Sequence, residues 1–204
     1  MDTSIWNGLK NGLIEMIDVI KKWLNSRKWK QFRWKKISTF FVGYNFSVIS
    51  PECISIGNGF YAEDNLKLQA WKRYGDQVFS PEIIIGNNVS MMDNCHISCC
   101  KKIQIGDGCL LGSNVFITDN FHGNGSTEQL SIPPRERPLN VKGKVIIGKN
   151  VWIGRNVCIM PGVTIGDGAN VGANAVVTKD IPAGSVAVGV PSRIVEQRNE
   201  NYTF

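Results

Sequence analysis

The chain has 204 residues, 43% hydrophobic and 20% charged, with 23 Lys and Arg against 17 Asp and Glu. That length suits one domain of ordinary size with an appendage, and no run of about 18 apolar residues exists to span a membrane. The net charge of +6 resides in residues 1–40, where nine basic side chains meet three acidic ones; the balanced remainder offers no basic groove for nucleic acid.

Residues 1–45 read as a basic, amphipathic helical segment. Ile5, Leu9, Leu13, Met16, Ile17, Ile20 and Leu24 recur at helical spacing, with Lys10, Glu15, Asp18 and Lys22 off that stripe. RKWKQFRWKK follows, interleaving Trp29, Phe32 and Trp34 with six basic charges. Tryptophan among Lys and Arg suits a membrane interface, where an anionic leaflet attracts each nearby basic residue by about 1 kcal/mol. Equally open is a helix that covers the exposed end of the domain behind it. No secretory signal pattern is present. The expected location is cytoplasmic, with peripheral contact to the inner face of the cell membrane through residues 1–40.

Residues 46–196 are organised by a six-residue repeat, and a tail follows at 197–204. From Ile147 a large aliphatic residue returns every six positions: Ile147, Ile153, Ile159, Ile165, Val171 and Val177. A smaller apolar residue precedes each by two: Val145, Val151, Val157, Val163, Ala169 and Ala175. The phrase recurs earlier at Ile85, Met91 and Ile97, at Ile105, Leu111 and Ile117, and more faintly at Ile56, Ala62 and Leu68. An amphipathic helix would need a 3.6 period, and sandwich strands would not hold a strict spacing of six. Six residues fit a short strand with alternate side chains inward, then a corner where Gly or Asn tolerates a left-handed backbone. Three units close a triangular coil, and coils stack through parallel pairing at roughly 4.8 Å. The fold expected is an all-β solenoid, a parallel β-helix of about five coils.

Six cysteines (Cys53, Cys95, Cys99, Cys100, Cys109, Cys158) form no recurring C-x-x-C pair and include two adjacent residues. They read as small buried hydrophobes in a reducing compartment, with no metal site.

Departures from the repeat mark candidate chemistry. AWKRYGDQVFSP interrupts the spacing between Leu68 and Ile85, and two extra residues fall between Ile97 and Ile105. The long excursion is 123–146, rich in Gly, Pro and Arg, with His122 at its base. A loop of that length is usually functional. His122 and His96 are the only histidines, and imidazole is the side chain whose ordinary titration lies nearest neutrality. Asp119 is the nearest carboxylate that could hold the other ring nitrogen of His122.

The hexads, together with VWIG, PGVTIGDGANVGANAVVTKDIP and VGVPSRIV, resemble the hexapeptide-repeat acyltransferases over roughly residues 50–196. Within that family TDNFHG is similar to the Asp-His-x-His-Gly signature of bacterial polysaccharide and lipopolysaccharide O-acetyltransferases, whose second histidine falls on His122; the first is Asn120 here. The maltose and galactoside acetyltransferases lead to the same position. The resemblance implies a left-handed β-helix, a homotrimer with active sites between subunits, and direct attack on acetyl-CoA with His122 as general base. No G-x-S-x-G elbow is present to suggest an acyl-enzyme. The resemblance further implies acceptor contacts at Asn94 and Trp152; Asp93 and Asp119 are counted with them by position, and coil stacking is expected to set Asn94 near the corner of His122. Coenzyme contacts carry over to Gly154, Ala173, Thr178, Lys179 and Arg193, whereas Arg155 and Glu196 depart from the family pattern.

The function expected is acetyl-CoA-dependent O-acetylation of a sugar hydroxyl of a surface polysaccharide or its precursor, soluble or lipid-linked. N-acetylation of an amino sugar uses the same fold and coenzyme and stands as the alternative. A non-catalytic, membrane-docked trimeric scaffold is a further one. A metal-dependent hydratase of γ-carbonic-anhydrase type would want three His ligands, and an ice-binding solenoid arrays of Thr on one face; neither pattern is present.

Overall fold

The computed structural model describes residues 40–197. The expected amphipathic helix, the RKWKQFRWKK stretch and the tail from residue 198 lie outside the described residues. Within 40–197 the chain is almost entirely β, apart from short 3-10 turns. It winds repeatedly through three sheets, which form three faces visited in a fixed order.

The first face runs from Phe40–Val42 through Phe60–Ala62, Ser90–Met91, Leu110–Leu111, Trp152–Ile153 and Asn170–Val171 to Ser185–Val188. The second joins Ser47–Ile49, Lys67–Ala70, His96–Cys99, Phe116–Thr118, Cys158–Ile159 and Val176–Val177. The third joins Ile54–Ile56, Glu82–Ile85, Lys102–Ile105, Val145–Ile147 and Thr164–Ile165, and Ile165 then bridges to Ile181. Pairing along each face is parallel. The exception is Arg193–Gln197, which folds back antiparallel on Ser185–Val188 and covers the last strand of the first face.

The repeat explains the register. Ile56, Ile85, Ile105, Ile147 and Ile165 occupy equivalent positions on the third face. All fifteen aliphatic residues of the hexads are inward and at most 5% exposed. Burying a side chain of that size stabilises the fold by about 1.5–3 kcal/mol, so the core is a column of aliphatic layers.

Corners are set by asparagine. Among the described residues nine non-glycine positions have positive φ, and all but Ser50 are Asn, including Asn65, Asn94, Asn114, Asn156 and Asn174. Asparagine occupies this region at small cost because its short side chain bonds locally. The five named lie on the edge between the first and second faces. Along it Asn65 donates to Asn94 at 3.0 Å, Asn114 to Asn156 at 2.9 Å, and Asn156 to Asn174 at 2.9 Å.

One expected boundary is corrected. Phe40–Val42 is a strand registered on Phe60–Ala62, so residues 40–42 of the expected 1–45 helical segment are β. The long excursion also has structure of its own: Phe121–His122 pairs antiparallel with Leu139–Asn140, and 3-10 turns span Thr127–Gln129 and Pro134–Glu136. All three interruptions of the repeat leave the prism on one edge, between the second and third faces.

Candidate active site

That shared edge builds the site. The first interruption forms a hairpin, Arg73–Tyr74 against Gln77–Val78, turning at Gly75 with φ 55°. The hairpin docks on the long excursion through Gln77, whose Nε2 donates to the Leu139 carbonyl at 3.0 Å while its Oε1 accepts from the Leu139 amide at 2.6 Å. The docking carries Tyr74 to His122. The Tyr74 hydroxyl lies 3.2 Å from His122 Nδ1 and donates to the Arg135 carbonyl. The two rings meet edge to face, with centroids 5.3 Å apart.

His122 is exposed and opens onto a hollow of about 190 Å3 whose other walls include Gln69, Trp71, Ser98 and Asn120. An aromatic ring beside amide and hydroxyl groups suits a polyhydroxylated molecule with one apolar face. Tyr74 lies in the AWKRYGDQVFSP interruption, where no period assigns its side chain to a face. The signal was Tyr-Gly-Asp-Gln, a tight hairpin turn with glycine at a positive-φ position.

Asp119 does not orient His122. It is fully buried, and its oxygens accept from the amides of Cys100 at 2.8 Å, Lys101 at 2.7 Å and Lys102 at 2.9 Å. Asn120 Nδ2 adds a contact at 3.0 Å. A carboxylate removed from water needs such donors to offset lost hydration. Here they come from the two-residue insertion after Ile97, so Asp119 clamps the neighbouring coil's corner.

Asn94 does not share the corner of His122 within one chain. It belongs to the asparagine edge between the first and second faces, and its Nδ2 donates to Asp93 Oδ2 at 2.5 Å. The two-residue insertion left the stacking register intact, but the two residues follow different faces.

A second concavity lies on the first face. This open groove of about 590 Å3 is lined by residues that include Leu110, Gly112, Trp152, Gly154 and Ala173. Trp152 is 55% exposed, so its ring is presented outward. Gly154 is required by coil stacking: a Cβ there would lie 2.6 Å from the Ala173 amide nitrogen. Arg155 and Glu196 line the same groove. Lys179 and Arg193 come together in a separate hollow of about 230 Å3 that also holds Asp180. Thr178 is exposed and precedes Lys179 at the turn after the second face. Neither the groove nor this hollow shares a lining residue with the pocket at His122.

The other histidine is engaged elsewhere. His96 is half-buried, bonded through Nε2 to Gln69 at 2.8 Å and packed on Phe116. Burial, with the Lys67 charge second, holds its pKa below the usual imidazole value. Four of the six cysteines are buried, and burial pushes the Cys95 and Cys100 thiols up to about 12. Among the described residues no three His, Cys, Asp or Glu side chains converge to hold a metal ion.

Residues 144–179 match the bacterial transferase hexapeptide family, described as six repeats. The chain is 37% identical over 150 residues to the Escherichia coli (strain K12) protein named as a lipopolysaccharide biosynthesis O-acetyl transferase, WbbJ, covering 72% of each chain. It is 37% identical to the galactoside O-acetyltransferase of the same organism over 62% of this chain and 61% of that protein. Among solved structures it superposes on a variant of AntD, an N-acyltransferase from Bacillus cereus in complex with dTDP and coenzyme A. That match has a TM-score of 0.64 and 26% identity, covering 78% of this chain and 83% of that one.

Proposed function

The chain belongs to the bacterial hexapeptide-repeat transferases, and from that membership we propose an acetyl-CoA-dependent O-acetyltransferase acting on a sugar hydroxyl, with His122 as general base. The acceptor would be a surface polysaccharide or its precursor. The observation that carries the reading is the exposed imidazole of His122, held at Nδ1 beside Tyr74 and opening onto a polar, aromatic-walled hollow.

In the proposed step His122 Nε2 takes the proton of the acceptor hydroxyl as its oxygen attacks the thioester carbonyl carbon. The C–O bond forms and the C–S bond breaks. The imidazolium returns its proton to the departing sulfur, leaving an acetyl ester and the free thiol of coenzyme A. Gly154 and Ala173 would receive the extended arm of the coenzyme along the first face, with the exposed Trp152 ring beside it and facing the acceptor. Thr178, Lys179 and Arg193 would meet its nucleotide end, where ammonium and guanidinium groups suit phosphate.

The groove and the His122 hollow belong to different edges of one prism. A left-handed coil of about five turns assembled as a homotrimer would let a neighbouring copy bring its His122 to the groove. Asp93 and Asn94, on the groove's side of the prism, would then join the acceptor region from the second copy. Peripheral docking at the inner membrane face through residues 1–40 belongs to the same proposal.

The test is turnover of acetyl-CoA with candidate saccharides, read as release of free thiol and as added acetyl mass on the acceptor. His122→Ala is expected to fold and to lose about 10²–10⁴-fold in turnover, the range for a positioned acid or base. Near-wild-type thiol release by that variant overturns the assignment. The likeness to AntD favours one second reading, acylation of an amino sugar nitrogen. Hydroxylamine treatment of the product separates them, because it cleaves an ester and leaves an amide.

A further inference from the structure

We propose that Tyr74 is a positioning residue that holds His122 in the Nδ1–H tautomer, so that Nε2 carries the lone pair. The use of that lone pair in catalysis rests on the function proposed above; the tautomer itself does not.

The argument is a count of protons. A tyrosine hydroxyl has one proton and can otherwise only accept, and a backbone carbonyl can only accept. The Tyr74 proton is engaged by the Arg135 carbonyl. What Tyr74 turns toward His122 Nδ1, 3.2 Å away, is therefore an oxygen lone pair. A hydrogen bond across that gap forms only if Nδ1 bears the proton, and a neutral ring protonated there has its free lone pair on Nε2.

The arrangement is built from both excursions. Arg135 belongs to the 3-10 turn Pro134–Glu136 of the long excursion, and Tyr74 to the hairpin of the short one. Gln77 ties the two together by a reciprocal pair of bonds to Leu139, the residue registered opposite His122. The edge-to-face contact of the Tyr74 and His122 rings restrains the imidazole further. The neighbouring carboxylate, Asp119, is engaged by backbone amides. When Nε2 gains a proton both ring nitrogens become donors, and the Nδ1–H bond to Tyr74 persists without rotation of the ring.

The full chain labelled with 15N-histidine tests this by long-range 1H–15N correlation at a pH well above imidazole titration near 6.5. Only two histidines contribute, and His96→Gln assigns them. The expected spectrum shows His122 with a protonated Nδ1 and an unprotonated Nε2. Tyr74→Phe keeps the ring contact and removes the acceptor. The two nitrogen shifts of His122 should then converge, and kcat should fall about three- to tenfold, the factor for one neutral hydrogen bond, at unchanged KM for acetyl-CoA. An Nε2–H tautomer in the wild-type spectrum overturns the proposal, as does an undiminished Nδ1–H preference in Tyr74→Phe. If the Nδ1–H tautomer is observed while His122→Ala remains active, the tautomer assignment stands and the proposed function falls.

Discussion

Replacing Asp119 with asparagine separates a clamp from a catalytic partner. The two carboxylate oxygens of this fully buried side chain divide their donors: one accepts from Lys101, Lys102 and the Cys99 thiol, the other from Cys100 and Asn120 Nδ2. An amide keeps only one oxygen. In its better orientation it retains the Lys101 and Lys102 amides and turns an NH2 group toward two other donors. Two hydrogen bonds to a charged acceptor are lost, each contributing about 1.5–3 kcal/mol, so the cost is about 3–6 kcal/mol. For a chain of this size each kcal/mol moves Tm by about 2–4 °C, which predicts a fall of roughly 6–24 °C. Differential scanning calorimetry reads the shift, and thiol release well below both transitions reads turnover. The expected outcome is a large loss of Tm with turnover per folded molecule reduced less than tenfold. A Tm equal to wild type combined with lost turnover would remove the clamp role and return Asp119 to His122.

Two further outcomes follow from packing and burial. Gly154→Ala places a methyl group 2.6 Å from the Ala173 amide nitrogen, and forcing these coils apart should cost about 1–3 kcal/mol. A lower Tm and a raised KM for acetyl-CoA, with less change in kcat, are expected; an unchanged Tm would show that the coil contact yields freely. His96 has a folded pKa held below its unfolded value by burial and then by Lys67, so the unfolded chain binds more protons between the two values. Its contribution to stability is fully present above the unfolded pKa of about 6.5 and declines as pH falls toward the lowered folded value. His96→Gln should flatten the fall of Tm on acidification below about pH 6.5, and an identical pH profile for both proteins would remove His96 as the cause.

The edge between the second and third faces shows where sequence reading reaches and where it stops. A period of six records a local condition repeated at each coil: inward Ile or Val, then a residue that tolerates a left-handed backbone. Every term in that condition lies within a few residues, so strand direction, register and the identity of the core residues are written in the chain. His122 was also legible, as one of two histidines at the foot of the longest departure from the repeat. The interruptions themselves carry no period. That they share an edge follows from each leaving after the second face, and only their folding shows that Gln77 seizes Leu139 and delivers Tyr74.

Two expected neighbours of His122 are drawn away from it by the stacking of coils. Asp119 lies three residues from His122, yet the adjacent coil presents three backbone donors that claim its oxygens. Asn94 stacks as the coil requires, but on a different edge of the prism. Conversely, Lys179 and Arg193 share a hollow because the antiparallel return of Arg193–Gln197 brings them together. The sequence by itself determined the β-coil, its aliphatic column and the neutral, glycine- and asparagine-cornered body that leaves the +6 charge to residues 1–40. Which groups face His122 is set by the folded chain, because hydrogen-bond partners across coils are chosen by stacking and by the docking of two aperiodic loops.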